Sequence, residues 1–542
     1  MAWLVPNHYP PWTSFYNDAC AAVGLLLIAV GVAAPPHPTG TPRLVWAIVG
    51  LAAIPWLQWG AGLVSFSGDA WVSTVYIFGF ATAVFAGSCW ARADARTMSE
   101  SLAIAILVAA CASSVLAISE VLGTFPIGMW GVQMPEGGRP GANLGQSNNL
   151  ATLLAFGTLS VLLLLEQARI GKILAIALLA LLVAGLAASQ SRIALAFGPI
   201  IWFGVWLGRA RIGFRTRPRY VGIAAIAASV SLWIEPLFLR TGDLLASQSV
   251  AGRGIQSLRF QVWPILFDGL SSHPWSGFGW LQVSAAELAA AGRHPPVGEL
   301  WAQGHNLFVE LLVWCGYPLG LFLGATVLYW FVTRCIRVRS VESAIGMLVI
   351  AVAGAHSMTE FPYQYGYFLV PTGLWIGLVE DAIGSHGARR PWVYPTLVTS
   401  SFVLLVAVCW CYAAVEDDFR LVRFESRRIG SVHAAQPAPD APFLSALTAF
   451  LEVARITPRV GMSGAELDRM GAVVRRFPYA ALMSSYATAM ALNGRPDDAR
   501  RMFATILHIH GATIYGNLKK DLDEAALTGP APLRLLDATV PP

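Results

Sequence analysis

His305 and Asn306 stand where a polar stretch gives way to a long apolar run, LFVELLVWCGYPLGLFLGATVLYWFV. An imidazole at such a junction, with a pKa near neutrality, can take a proton from a hydroxyl as general base. The plainer alternative is an interfacial histidine that only caps the helix. Arg259, in SLRFQVWPILF, and Arg192, in ASQSRIALAF, carry planar guanidinium forks suited to two oxygens of one phosphate. A solvated loop charge for Arg259 and a snorkelling side chain for Arg192 are the competing readings. Arg253, His273 and His294 share the polar stretch with Arg259. In AGAHSMTEFPYQYGYFLVP, His356 and Glu360 are four apart, one helical turn, and Pro362 would end that helix. They would bound the same cavity as His305, or form a structural pair closing a helix. Asn148, in NLGQSNNLA, reads as a helix cap first and a ligand contact second. Residues of these types at membrane boundaries point to an active site outside the cytoplasm that handles a phosphate-bearing lipid.

The elements that must position them are membrane helices. Of 542 residues, 56% are hydrophobic and 12% charged, half the charge of an ordinary globular chain. About twelve windows are apolar enough to cross a hydrocarbon core about 30 Å thick. They lie near 18–34, 44–64, 71–91, 101–122, 148–165, 173–188, 193–208, 220–237, 306–333, 341–357, 366–383 and 393–413. The expected architecture is therefore all-α and polytopic. A segment at 1–17 precedes eight spans within 18–237, a long loop follows at 238–305, and four more spans fill 306–413. Connections between spans are usually a few residues, so a loop of that size is a natural place for function.

Alternate loops differ in charge. One set, from Arg43 through the cluster Arg209–Arg219 to Arg390, holds fifteen basic residues, and the opposite set holds six. The positive-inside rule puts the first set in the cytoplasm and the long loop outside it. The Arg209–Arg219 cluster is thus a topology anchor, and no nucleic-acid partner is expected. The seven cysteines fall in or beside spans, which gives no disulfide framework. No Walker motif, no glycine-rich nucleotide turn and no cluster of metal ligands occurs, so neither nucleotide, metal nor other cofactor is expected.

Beyond Cys411 the sequence becomes charged, passes a linker (SVHAAQPAPDAP) and enters a helical stretch, giving a soluble domain over 414–542. Ser463 and Glu466 have capping-box spacing. Gly494 should end one helix and Pro496-Asp497 begin the next, a tetratricopeptide-like pair.

With these residues in view, the chain resembles the bacterial O-antigen ligase/polymerase superfamily, and within it the PglL-type protein O-oligosaccharyltransferases. The resemblance rests on PNHYPPWTSF, RPGANLGQSNNLAT, SQSRIA, RFQVWP…HPWSGFGW, GHNLFVELLVWCG and HSMTEFPYQYGYF. It implies an enzyme of the bacterial inner membrane, with its active site and C-terminal domain facing the periplasm. The implied donor is a glycan on undecaprenyl pyrophosphate, and the acceptor a Ser/Thr-containing protein or pilin. His305 would be the catalytic base, Arg192 and Arg259 would hold the pyrophosphate, and Asn306, His356, Glu360, Asn148 and Arg253 would support them. Ligation of O-antigen to lipid A–core, or glycan polymerisation, would use the same chemistry on another acceptor. A transporter or flippase is the rival from a different class, but matched Gly/Pro-broken helices and mid-span charge pairs are missing. The chain departs from the family pattern twice. Ser147-Asn148-Asn149 stands where the family reads proline–asparagine–histidine, so no histidine role carries over there. MAWLV stands where the family has a hydrophobic helix, so one further span is expected ahead of this start.

Overall fold

Inside a bilayer every backbone amide must be bonded within its own segment, and apolar runs of membrane length therefore become helices. The computed structural model describes residues 1–6, 8–32, 40–124, 130–132, 139–238, 258–384, 387, 390–426 and 437–528. Among the described residues the regular elements are all helical. The first four are α1 (Phe15–Val32), α2 (Arg43–Leu51), α3 (Ala53–Gly60) and α4 (Ser67–Leu122). Next come α5 (Ser147–Glu166), α6 (Lys172–Ser189), α7 (Ala194–Ile212) and α8 (Pro218–Phe238). The short α9 (Arg259–Leu270) and α10 (Val283–Ala290) precede α11 (Leu307–Arg337), α12 (Val341–Ser357), α13 (Gly366–Ala382) and α14 (Val393–Ser426). The C-terminal helices are α15 (Ser445–Ala454), α16 (Gly464–Arg476), α17 (Ala480–Leu492) and α18 (Pro496–Thr528).

Within the described residues each apolar window is mainly helical, with two differences in detail. The window at 44–64 is broken into α2 and α3, whereas those at 71–91 and 101–122 run together as α4. Asp94 interrupts α4 with φ −162° and ψ 95°. Its Oδ1 accepts the amides of Arg96 and Thr97, each at 3.0 Å, and so caps the second half. Among the described residues, six helices are long and apolar enough to cross a membrane: α1, α4, α5, α6, α11 and α14.

The chain divides into two compact units. The first comprises Met1–Leu51, Val75–Gln256 and Thr326–Leu405. Its centre is α5, which is buried along most of its length. At the C-terminal end of α5, Glu166 accepts the amides of Arg215 and Thr216, both at 2.7 Å. In the same unit Arg334 pairs with Glu380 at 2.7 Å and Arg92 with Asp381 at 2.8 Å. At 1.5 Å per residue, α5 carries the chain about 30 Å from Glu166 to Ser147. Glu166 thus marks an arginine-rich end of the unit, and a second, amide-rich end lies one membrane thickness away.

The second unit comprises Ala52–Thr74, Ser257–Ala325 and Val406–Pro542. Loop helices α9 and α10 share a core with the C-terminal helices, Ile265 and Ala290 packing with Met470, Leu482, Phe503 and Ile506. The charged stretch after Cys411 continues α14 to Ser426. There Asp418 receives both arms of Arg455 at 2.7 and 2.8 Å. Ser463 and Glu466 form the expected capping box. Gly494, at φ +81°, ends α17, and Pro496 opens α18. A non-helical Gly511 divides α18.

Candidate functional site

In the second unit, the polar stretch is pressed onto α11 where that helix kinks at Gly316, φ +74°. A side chain at Gly316 would meet the backbone of Trp275 at 2.5 Å, and one at Gly277 would meet the Val313 carbonyl at 2.5 Å. These glycines of HPWSGFGW and WCG are thus points of close backbone approach. Gln58 stitches the same place, donating to the Trp314 carbonyl at 2.7 Å and accepting the Trp280 amide at 2.8 Å.

Arg259 opens α9, and one turn later Trp263 donates its indole N–H to the Gly304 carbonyl at 2.9 Å. The Gly304 amide donates to Oε1 of the buried Glu310 at 2.8 Å. Gly304, the residue leading into His305, is therefore held at both its N–H and its C=O. His305 itself is half-buried and left-handed, φ +49°, a conformation that costs an L-residue energy and recurs at functional positions. The Trp301 ring lies 4.4 Å from the His305 ring. Behind it, Glu287 accepts the Trp301 amide at 2.9 Å. Burial, reinforced by Glu299, raises the Glu287 carboxyl from the usual 4.5 to about 8 despite that hydrogen bond.

Helix capping falls to Asn306, whose Oδ1 accepts the amides of Phe308 and Val309 at 2.9 and 3.2 Å. The capping alternative for His305 is thereby taken by its neighbour. His294 bonds Asp268 at 2.9 Å, as does Arg293, and the two hold that carboxyl below its usual range. His273 is engaged by Ser272 at 2.9 Å. Arg253 lies outside the described residues.

In the first unit the remaining candidates gather at the N-terminus of α5. Asn148 does not cap that helix. Its amide donates to Glu360 Oε1 at 2.8 Å, and its carbonyl oxygen accepts Ser191 Oγ at 2.7 Å. Ser191 immediately precedes the half-buried Arg192. Gln146 adds a longer contact to Glu360 at 3.4 Å. His356 and Glu360 each reach α5, His356 through Thr152 at 2.9 Å and Glu360 through Asn148. Asn148, Glu360, His356 and Ser191 thus form one polar group, partly buried, with Arg192 next to it in the chain.

Sequence reasoning missed what holds this group from the N-terminal side. His8 meets the Asn143 carbonyl at 3.2 Å, Asn143 donates to the Trp3 carbonyl, and Asn17 donates to Ala2 and Val5. Asp18 accepts Ser14 and Tyr76, both at 2.6 Å, and the Tyr367 amide at 3.3 Å. His8 and Trp3 accordingly brace the asparagine-rich turn. The amide and histidine content of both segments was the available signal. Trp263, Glu310, Trp301 and Glu287 were missed as well, and only Trp263, one turn from Arg259, carried any cue.

Residues 174–324 match the family described as O-antigen ligase. Residues 344–515 match that described as virulence factor membrane-bound polymerase, C-terminal. A general O-oligosaccharyltransferase of Acinetobacter baylyi is 27% identical over 532 residues, 94% of this chain and 90% of that protein. A ComP-specific O-oligosaccharyltransferase of the same organism is 22% identical over 418 residues, 76% of this chain and 74% of that protein. With the apolar helices, these matches define a membrane enzyme of the glycosyltransferase class. The chain is similar to the O-antigen ligase family and, within it, to PglL-type O-oligosaccharyltransferases.

Proposed function

We propose that this enzyme moves an oligosaccharide en bloc from undecaprenyl pyrophosphate to a Ser or Thr hydroxyl of an exported protein. His305 takes the hydroxyl proton as the oxygen attacks the anomeric carbon. The bond from that carbon to the pyrophosphate oxygen breaks in the same step, which inverts the anomeric configuration. Arg259 and Arg192 stabilise the charge that leaves on the lipid pyrophosphate, a role of the kind that dominates many catalytic sites. Asn306, Asn148, His356, Glu360 and Arg253 support these groups. The leaving group is already activated, so the step draws on no metal or nucleotide.

The observation that carries this reading is the fixation of His305. Trp263, one helical turn of α9 from Arg259, holds a strained histidine in place together with Glu310 and Trp301.

The topology proposed with it has twelve spans in the bacterial inner membrane, with the loop and the C-terminal domain in the periplasm. Support comes from the uneven distribution of basic residues between alternate loops.

The test is purified enzyme with lipid-linked glycan and a Ser-containing peptide, followed for glycopeptide and released undecaprenyl pyrophosphate. Both should appear together. A parallel reaction with lipid A–core or free glycan as acceptor separates a second reading, which the O-antigen ligase and polymerase matches favour. Transfer to those acceptors alone would replace the protein acceptor in this proposal.

A further inference from the structure

We propose that the C-terminal helices are a positioning part of the catalytic unit, acting on His305 through an ion pair between Arg476 and Asp69. The inference rests on the proposed transfer reaction. Asp69 lies in the first turn of α4, where the helix dipole favours a carboxylate. Arg476, the last residue of α16, places Nε 3.1 and 3.0 Å from its two oxygens. The side chains are 17% and 7% exposed, so the pair is shielded from solvent screening. Asp69 Oδ2 also accepts the amide of Gln282 at 3.1 Å, and Gln282 immediately precedes α10. Ser284, in the first turn of α10, donates to the Arg476 carbonyl at 3.1 Å. One arginine therefore fixes the start of α10 from two directions.

That helix leads to the site. Glu287 of α10 holds the Trp301 amide, and Trp301 packs against His305. A second tie fixes the chain between them. The His508 carbonyl of α18 accepts the amides of Val297 and Gly298 at 3.0 and 3.2 Å, and His508 Nδ1 meets the His294 carbonyl at 2.8 Å. Helix α9, which carries Arg259 and Trp263, contributes Ile265 to the core that the C-terminal helices build. The base and an arginine thus stand on a foundation supplied mostly by residues beyond 440.

The experiment uses the full chain carrying Arg476→Ala, Gln282→Ala or the exchanged pair Asp69→Arg/Arg476→Asp. Exposed Arg501, 74% accessible, changed to Ala is the control. Pyrophosphate-lipid release is measured with a short Ser peptide and with a folded acceptor. Misplacing a catalytic group by about 1 Å costs on the order of a hundredfold. We expect Arg476→Ala to lose turnover of that order on both acceptors with little change in acceptor KM. Gln282→Ala should lose less, and the exchanged pair should recover part of the loss. Should Arg476→Ala fail to accumulate, Gln282→Ala decides, since it removes only the side-chain bonds to Asp69 and to the Trp280 carbonyl. Full turnover in both variants would overturn the inference, as would a loss confined to the KM of the folded acceptor. Absence of transfer by the wild type would instead overturn the proposed reaction.

Discussion

Trp263 donates its indole N–H to the carbonyl of Gly304, joining the helix that begins at Arg259 to the turn that presents His305. Trp263→Phe keeps the packing but gives up the donor. Turnover should fall about tenfold or more, because small displacements of a base are amplified in rate. Protein level should hold, and unchanged turnover would show that the Glu310 contact alone fixes the turn.

His305→Ala should abolish transfer while the protein still accumulates and inserts. Asn306→Ala should instead cost about 1 kcal/mol of stability, the usual loss for a helix cap. Transfer assays beside thermal unfolding of both variants separate the two roles. An active His305→Ala enzyme would remove the base from the mechanism.

Arg259→Lys and Arg192→Lys preserve charge but lose the two-pronged geometry that suits phosphate oxygens. Both should turn over much more slowly than wild type, read as initial rates at saturating donor. If both lysine variants matched wild type, these arginines would be packing or topology residues.

Glu287 has a folded-state pKa of about 8 against an ordinary 4.5. The fold keeps this proton where the unfolded chain has already released it. The group therefore costs no stability below about pH 4.5, and its cost grows as pH rises toward 8. Glu287→Gln can still accept the Trp301 amide but has no proton to lose. Its melting temperature should decline less than that of wild type across this window. Parallel declines would mean that Glu287 ionises normally.

Transfer should persist in EDTA. Hard divalent ions want several oxygen ligands together, and no group of three metal-binding side chains occurs among the described residues. Activity lost to chelation and restored by Mg²⁺ or Mn²⁺ would require a metal in the mechanism.

The helices were legible because apolar runs of membrane length have one structural solution. His305-Asn306 was legible as a boundary, and the Ser463–Glu466 box as a local spacing rule. The division of labour at that boundary was not, since His and Asn can both cap and only the bonds that Asn306 accepts from Phe308 and Val309 decide between them. Asn148 was read first as a cap because asparagine serves a helix start as readily as a distant carboxylate. Its bond to Glu360 spans 212 positions and leaves no periodic trace. The Arg476–Asp69 contact spans 407 and was equally hidden. Trp263 and Glu310 look like ordinary core residues until the chain between them is folded back.

The backbone at His305 carries a further implication for engineering. A left-handed residue with a side chain costs roughly 1–2 kcal/mol that glycine would not incur. His305→Gly should therefore melt higher than wild type while transferring nothing. Libraries sorted only for yield or heat tolerance will enrich glycine or asparagine at this position, so such sorting needs a transfer assay running beside it.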